Sequence, residues 1–236
     1  IYYPVEDNQE PLIYIGTDKE VKNPSVNIFF KQDATPDSLK NTIAYYATHY
    51  MLSMAMNMLN NRLSELSQTA NPPFTSAGAG YGEFFLAKTK EAFSLSAGSK
   101  VDGIELAMKT VLEEAERARR FGFTATEYDR ARANYQQAVE SAYNEREKTK
   151  SSAYVDEYVN NFLDKEPIPG IEFEHMLVSQ MAPNIPVEAI NQLMQQLVTD
   201  NNQVVLLAGP EKEGVKYPTK EEIATLLKEI KTFELK

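Results

Sequence analysis

The stretch from Asn57 to Gly98 changes its hydrophobic period partway along, and that change constrains the fold more than any other feature of the sequence. Met54, Met58, Leu59, Leu63 and Leu66 recur at steps of three and four, which puts them on one face of a helix. Pro72 and Pro73 end that pattern, because proline has no N–H and disfavours helical geometry in the residue before it. The period then becomes two. Ala77, Ala79, Tyr81 and Phe85 alternate with Ser76, Gly78, Gly80 and Phe84, and Phe93, Leu95 and Ala97 alternate with serines. This predicts two strands joined by a turn near Lys88. Glycine weakens a strand by roughly 1 kcal/mol unless another backbone or side chain must come close. The small residues of Ser76 to Gly82 therefore predict a long helix lying on that strand.

The rest of the chain is read around this unit. Residues 1–11 form an extended, proline-bounded lead-in, and the absence of an initiating Met before Ile1 gives the expectation of a piece cut from a longer protein. Leu12 to Thr17 and Ser25 to Lys31 read as strands, and the continuous apolar run Val26 to Phe30 places the second of them centrally in a sheet. Pro36 and Asp37 suit a helix start, with the helix running from about 37 to 69. Asp102-x-x-Glu105 has capping-box spacing ahead of the stripe Ile104, Met108, Val111, Leu112 and Ala115, and Gly122 stops that helix. A second box, Thr124-x-x-Glu127, opens a helix carrying Tyr128, Ala131, Tyr135, Val139 and Ala142.

Helical spacing resumes at Tyr154, Tyr158, Val159 and Phe162 and breaks at Pro167-Ile168-Pro169-Gly170. A short helix from Phe173 to Met181, another from Pro186, a strand from Val204 to Ala208 and a last helix capped by Thr219-x-x-Glu222 complete the order. Strands first, helices in blocks and one late strand give an α+β fold, an antiparallel or mixed sheet of about five strands packed against long helices. The expected organisation is a lead-in over 1–11, one α+β domain over 12–210, and a final helix with the start of a linker over 211–236.

The net charge of −10 argues against a phosphate-binding surface, so no nucleic acid partner is expected. Arg117, Arg119 and Arg120 are the only basic cluster, and their place in a last helical turn suggests that they offset the helix dipole. The chain has no cysteine, which removes disulfide and thiolate chemistry, and no apolar run near the ~20 residues a membrane span needs.

Several of these segments together resemble the non-catalytic repeat domain of the insulinase/pitrilysin family of zinc metallopeptidases. In that family a long helix ends in R-L-x-x-x-L, followed by a break, an aromatic residue and a small-residue strand. Here these are Arg62, Leu63, Leu66, Pro72-Pro73, Phe74 and Ser76-Ala77-Gly78-Ala79-Gly80. The opening Ile13 to Lys31 and the strand Gln203 to Pro210 resemble the family's first and closing strands. The resemblance implies a metallohydrolase-like α+β domain of the zinc-bearing half, packed against an upstream zinc domain and followed by a second half of the same polypeptide. It implies peptide substrates for the parent and zinc held upstream, with no cofactor in this segment. The N-P-P-F variant of the motif, Asn71 to Phe74, suggests the periplasm or cell envelope of a bacterium.

The family's zinc motif is H-x-x-E-H, two histidines four apart on a helix with a general-base Glu between them. This chain has two histidines, His49 and His175, and neither has a partner at four residues. Glu172, Glu174 and His175 crowd together in sequence, but the simpler reading of His175 is a surface residue at a helix start and of His49 a packed one. The family's carbonyl-holding Arg and Tyr would align with Ser67 or Gln68 and with Phe74, which supply neither a cation nor a phenol. No catalytic or metal-ligating residue is therefore expected, and no substrate-binding residue is assigned.

Gly78-Ala79-Gly80-Tyr81-Gly82 lacks G-x-G-x-x-G spacing, G-x-S-x-G is missing, and the carboxylate pairs Glu113-Glu114 and Glu221-Glu222 point to different helix sectors. The tyrosine stripe Tyr128, Tyr135, Tyr143, Tyr154 and Tyr158 reads as core edge, with a peptide-binding wall as the sharper alternative. The functional expectation is a substrate-enclosing, non-catalytic domain of a zinc metalloendopeptidase. An inactive assembly subunit related to such peptidases and a stand-alone peptide-binding module are the alternatives.

Overall fold

The computed structural model describes residues 3–85 and 87–235, so Ile1, Tyr2, Leu86 and Lys236 lie outside the described residues. In chain order the elements are β1 (Leu12–Asp18), β2 (Ser25–Asp33), α1 (Asp37–Lys40), α2 (Ile43–Ser67), β3 (Ser76–Phe84), β4 (Ala87–Gly98) and α3 (Ile104–Phe121). There follow α4 (Ala125–Glu145), α5 (Val155–Asp164), α6 (Ile171–Met181), α7 (Val187–Leu197), β5 (Gln203–Pro210) and α8 (Lys220–Glu229). The fold is α+β with a five-stranded mixed sheet. None of the described helices is long and apolar enough to cross a membrane.

The chain divides into two compact units: Ile1–Ala34 with Met56–Gly122 and Met194–Lys236, and Thr35–Ala55 with Phe123–Leu193. The first holds the sheet, in the order β1-β5-β2-β4-β3. β1 runs parallel to β5, and all other pairs are antiparallel. β2 is the middle strand, as its continuous apolar run requires. The registers Ile28↔Leu95, Phe30↔Phe93, Ile28↔Val205 and Val26↔Leu207 bring these side chains to one face, all of them buried. Phe30 and Phe93 stack with ring centroids 5.7 Å apart. Burial of each such side chain contributes about 1.5–3 kcal/mol. α3 packs on β2 and β4 and buries Ile104, Ala107, Met108, Val111, Leu112, Ala115 and Ala118.

The helix expected on the glycine-rich strand is there, and one side chain fixes it. Asn60 of α2 accepts a hydrogen bond from the Ala79 N–H at 2.8 Å and donates to the Ala79 carbonyl at 2.9 Å. It thus satisfies an outward-facing peptide of the edge strand β3. A Cβ at Gly78 would stand 3.7 Å from the Asn60 amide oxygen, an ordinary contact, so these hydrogen bonds do not themselves require glycine there.

Residues 3–11 are strapped across strand ends. Lys31 Nζ donates to the Glu6 carbonyl, Lys90 Nζ to Asp7 and Asp33, and the Asn202 side chain to Asp7. Val5 packs on Phe84, Ala92 and Val204.

Three local expectations differ from the structure. The β3–β4 turn falls at Phe85 rather than Lys88, which lies inside β4. Phe85 has φ 55°, a left-handed turn made without the Gly or Asn that normally announces one. Burial of Phe84, edge-on to Phe29 at 5.5 Å, sets this early reversal. The helix expected over 37–69 is broken at Asn41-Thr42: the Thr42 hydroxyl donates to Leu39 O and accepts from Tyr45 N–H, so it ends α1 and caps α2. The Asp102 capping box does not form. A turn from Gly103 N–H to Lys100 O makes Gly103 the N-cap and moves Glu105 off the reciprocal position. The boxes at Thr124 and Thr219 form as expected, and Gly122, at φ 72°, ends α3.

The second unit is helical. Its centre is a phenol pair, Tyr50 Oη and Tyr128 Oη 3.0 Å apart, with Tyr128 donating to Ile185 O at 3.0 Å. Burial and the Tyr128 hydroxyl hold the Tyr50 phenol well above its ordinary pKa.

Candidate functional site

The residues singled out from the sequence do not converge on a reaction centre. His175 lies in the second turn of α6, where Nε2 meets a Glu140 carboxylate oxygen of α4 and the ring stacks on Tyr143, centroids 4.3 Å apart. The Arg146 guanidinium lies 4.3 Å from the Tyr143 ring centroid and pairs with Glu172 at 3.3 Å. The histidine is therefore half of an α4–α6 clasp, not a plain surface residue at a helix start. The hydrogen bond from His175 holds the Glu140 carboxyl below its ordinary range. Glu172, Glu174 and His175, neighbours in sequence, turn to different surroundings. His49 lies with its ring 4.0 Å from Tyr45.

Among the described residues, no three of His, Asp and Glu stand close enough to share a metal ion. The side chains present do not fit a catalytic zinc, which needs three protein ligands and an open position.

At the end of α2, Ser67 donates to Ser64 O at 2.6 Å and Gln68 stays at the helix surface, while Phe74 is buried in the core. The basic cluster does more than offset a dipole. Glu116 is fully buried and accepts from Arg119 Nε at 2.7 Å and Arg120 Nε at 2.6 Å. Arg120 then donates to Ile230 O and Phe233 O, both at 2.8 Å, tying α3 to the turn after α8. Burial opposes ionisation of Glu116, but the two arginines outweigh it and lower its pKa. Sequence spacing shows Glu116 and Arg120 four apart on a helix, but not that the pair would be buried.

The tyrosine stripe divides. Tyr128 is buried, Tyr135 sits edge-on to Tyr50 at 5.4 Å, and Tyr158 is 63% exposed. Tyr158 belongs to α5, a helix that the sequence spacing announces but whose exposure it does not. Val155, Tyr158, Val159, Phe162 and Leu163 recur at helical spacing, yet none is buried, and Phe162 is 77% exposed. An amphipathic helix normally buries such a stripe. Nearby, a groove of about 200 Å³ is lined by Ile43, Tyr46, Pro167, Ile168, Pro169 and Phe173. Burial, then the charges of Glu174, Glu166 and Glu157, push the Tyr46 phenol far up. In the sheet unit, a separate groove of about 410 Å³ between α3 and α8 carries Glu105, Glu221 and Glu229 over Met108, Leu226 and Phe233.

No model of a known protein family matches the chain. Its sequence is 28% identical over 203 residues to a zinc protease PQQL-like protein of Arabidopsis thaliana, covering 86% of this chain and 18% of that one. Its fold is similar to the periplasmic protease PqqL of Escherichia coli, with a TM-score of 0.86 at 17% identity over all of this chain and 26% of that one. Against the structure of the first half of PqqL the TM-score is 0.87 at 17% identity, again over all of this chain and 50% of that one. A predicted insulinase family protease of Yersinia pestis gives a TM-score of 0.77 at 10% identity, over 98% of this chain and 48% of that one. The chain spans about a fifth of the curated relative and about half of a peptidase half. The resemblance to insulinase-type zinc peptidases read from the sequence is borne out by these relatives.

Proposed function

We propose that this chain, similar in sequence and fold to insulinase-type zinc peptidases, is the non-catalytic domain that follows the zinc domain within the zinc-bearing half of such a metalloendopeptidase. Its role is to pack against that zinc domain and to line the chamber that encloses peptides, where exclusion of water and limits on size govern access. The observation that carries this reading is the match of the whole chain to half of a peptidase half, in a sequence that contains no H-x-x-E-H. His175 supports it, being engaged by Glu140 and Tyr143 rather than presented to a metal.

Zinc belongs, on this reading, to an upstream domain of the parent, and a second half of the same polypeptide completes the enclosure. The parent's place is the periplasm or cell envelope of a bacterium, a reading supported by the periplasmic protease of like fold. The test is reconstitution. The zinc domain of the parent, expressed alone, should cleave a mixed peptide pool slowly, and adding this chain in trans should raise the rate at least tenfold. A rate unchanged by saturating chain would refute the role.

A further inference from the structure

The sheet has a second face that α3 leaves open. Strand alternation sends Ile28, Phe30 and Phe93 to the side packed by α3, and Phe29, Ala92, Val204 and Leu206 to the other. The registers Leu12↔Val204 and Tyr14↔Leu206 carry this second face onto β1, where Leu12 and Tyr14 are exposed. A solvated sheet face is normally polar. Asn27, Ser94 and Ser96 obey that rule, but the row Leu12–Val204–Phe29, with Tyr14 and Leu206 beside it, does not. Apolar surface of this kind marks an interaction site.

The β3–β4 turn adds Phe85 to this patch. Its ring stands 5.2 Å from Phe29 and 4.7 Å from Phe84, yet it is 56% exposed. A bulky side chain at φ 55° is strained, and glycine or asparagine would make the same turn without strain while leaving Phe84 buried. Strain that the fold does not require points to a functional position. The strap indicates what meets this side chain, because it crosses the same face. Val5 lies on Phe84, Ala92 and Val204, and its N–H donates to the Thr89 hydroxyl at 3.2 Å. Lys31 and Lys90 hold Glu6 O and Asp7, and the Thr89 hydroxyl donates to Tyr3 O at 3.4 Å. Residues before the exposed Tyr3 therefore enter over this patch. The Glu83–Lys88 pair at 2.9 Å gives the patch a polar rim, as in a protein interface.

We infer that this open face, from Leu12 and Tyr14 through Phe29 to Phe85, seats the domain that precedes this chain in its parent, with Phe85 as the anchoring side chain. The inference rests on the proposed accessory role and names the surface through which the chain packs on its upstream neighbour. The neighbour presents an apolar pocket to Phe85, since a half-exposed aromatic ring gains most where its surroundings lose their water. Lys31 and Lys90 then act as pins that bring the entering chain across the same face.

The test is photo-crosslinking in the full-length parent, with p-benzoylphenylalanine placed at position 85, at position 14 or, as a control, at the exposed position 162 of α5, and products mapped by mass spectrometry. Positions 85 and 14 should crosslink to residues that precede this chain, and position 162 at least about fivefold less to the same residues. Crosslinks from position 85 to the polypeptide that follows this chain, to a second molecule or to an added peptide substrate would overturn the inference, as would none at all.

Phe85→Asn separates an anchor from a packing residue. In this chain alone it should leave the melting temperature within about 3 °C, because relief of strain offsets the lost ring contacts. In the parent it should speed proteolytic release of this chain at least about fivefold. A larger drop in melting temperature, or an unchanged release rate, would overturn the inference. Crosslinking reads contact, whereas the accessory role is read in cleavage. A chain that accelerates cleavage in trans while its position 85 crosslinks elsewhere refutes only this surface. One whose position 85 reaches the upstream domain without raising cleavage refutes only the role.

Discussion

Glu116→Gln tests how the sheet unit is held together. The glutamate side chain is 2% exposed, and its partners Arg119 and Arg120 are 31% and 22% exposed. Glutamine keeps the shape and one acceptor but removes the charge that offsets two guanidinium groups. Breaking a fully buried pair costs about 3–5 kcal/mol, and solvent reaching the arginines reduces this to about 2–3 kcal/mol here. Part of the loss comes through Arg120, which no longer has a fixed orientation toward Ile230 O and Phe233 O. Because the folded-state pKa of Glu116 is lowered from 4.5, its contribution is present above that value and is lost as pH falls through the lower folded-state value. Urea unfolding followed by circular dichroism should therefore show the full gap between parent and variant at pH 7, and a gap that closes under strongly acidic conditions. A gap below about 0.5 kcal/mol at pH 7, or one independent of pH, would refute the reasoning.

Three further substitutions probe other joints. Asn60→Ala removes both hydrogen bonds to Ala79 and should cost about 1–2 kcal/mol in urea unfolding; amide exchange at Ala79 should speed up in step. Tyr128→Phe leaves the Tyr50 hydroxyl without its partner and should cost about 1–2 kcal/mol by the same assay, with the Tyr50 phenol titrating closer to its ordinary range. Glu174→Gln should stabilise the chain at pH 7. A raised carboxyl pKa favours the fold below the unfolded value and loses that advantage as pH rises through the folded one, so the gain should vanish near pH 4. Thermal melts at the two pH values measure it.

The strands, most helices and the central place of β2 could be read from period and capping chemistry, because Val26 to Phe30 and the boxes at Thr124 and Thr219 are local statements. The Phe85 turn could not, since it uses a left-handed aromatic residue where the sequence offers no glycine. The break at Thr42 was hidden for a related reason: its hydroxyl makes local hydrogen bonds that compete with a helix whose apolar spacing continues through it. The missing zinc motif was plain from two isolated histidines, but the His175–Glu140 clasp joins residues 35 positions apart and needed the fold. The α5 stripe was visible as periodicity, yet periodicity predicts burial, and only the structure shows that this stripe stays exposed.

In the proposed role, this chain serves a zinc peptidase without being its catalytic part. The most direct test is incubation of the pure chain with a mixed peptide pool and added zinc, with and without a chelator, read by mass spectrometry. That role predicts no cleavage in either tube. Cleavage that the chelator abolishes would contradict it and would return His49 and His175 to consideration as metal ligands.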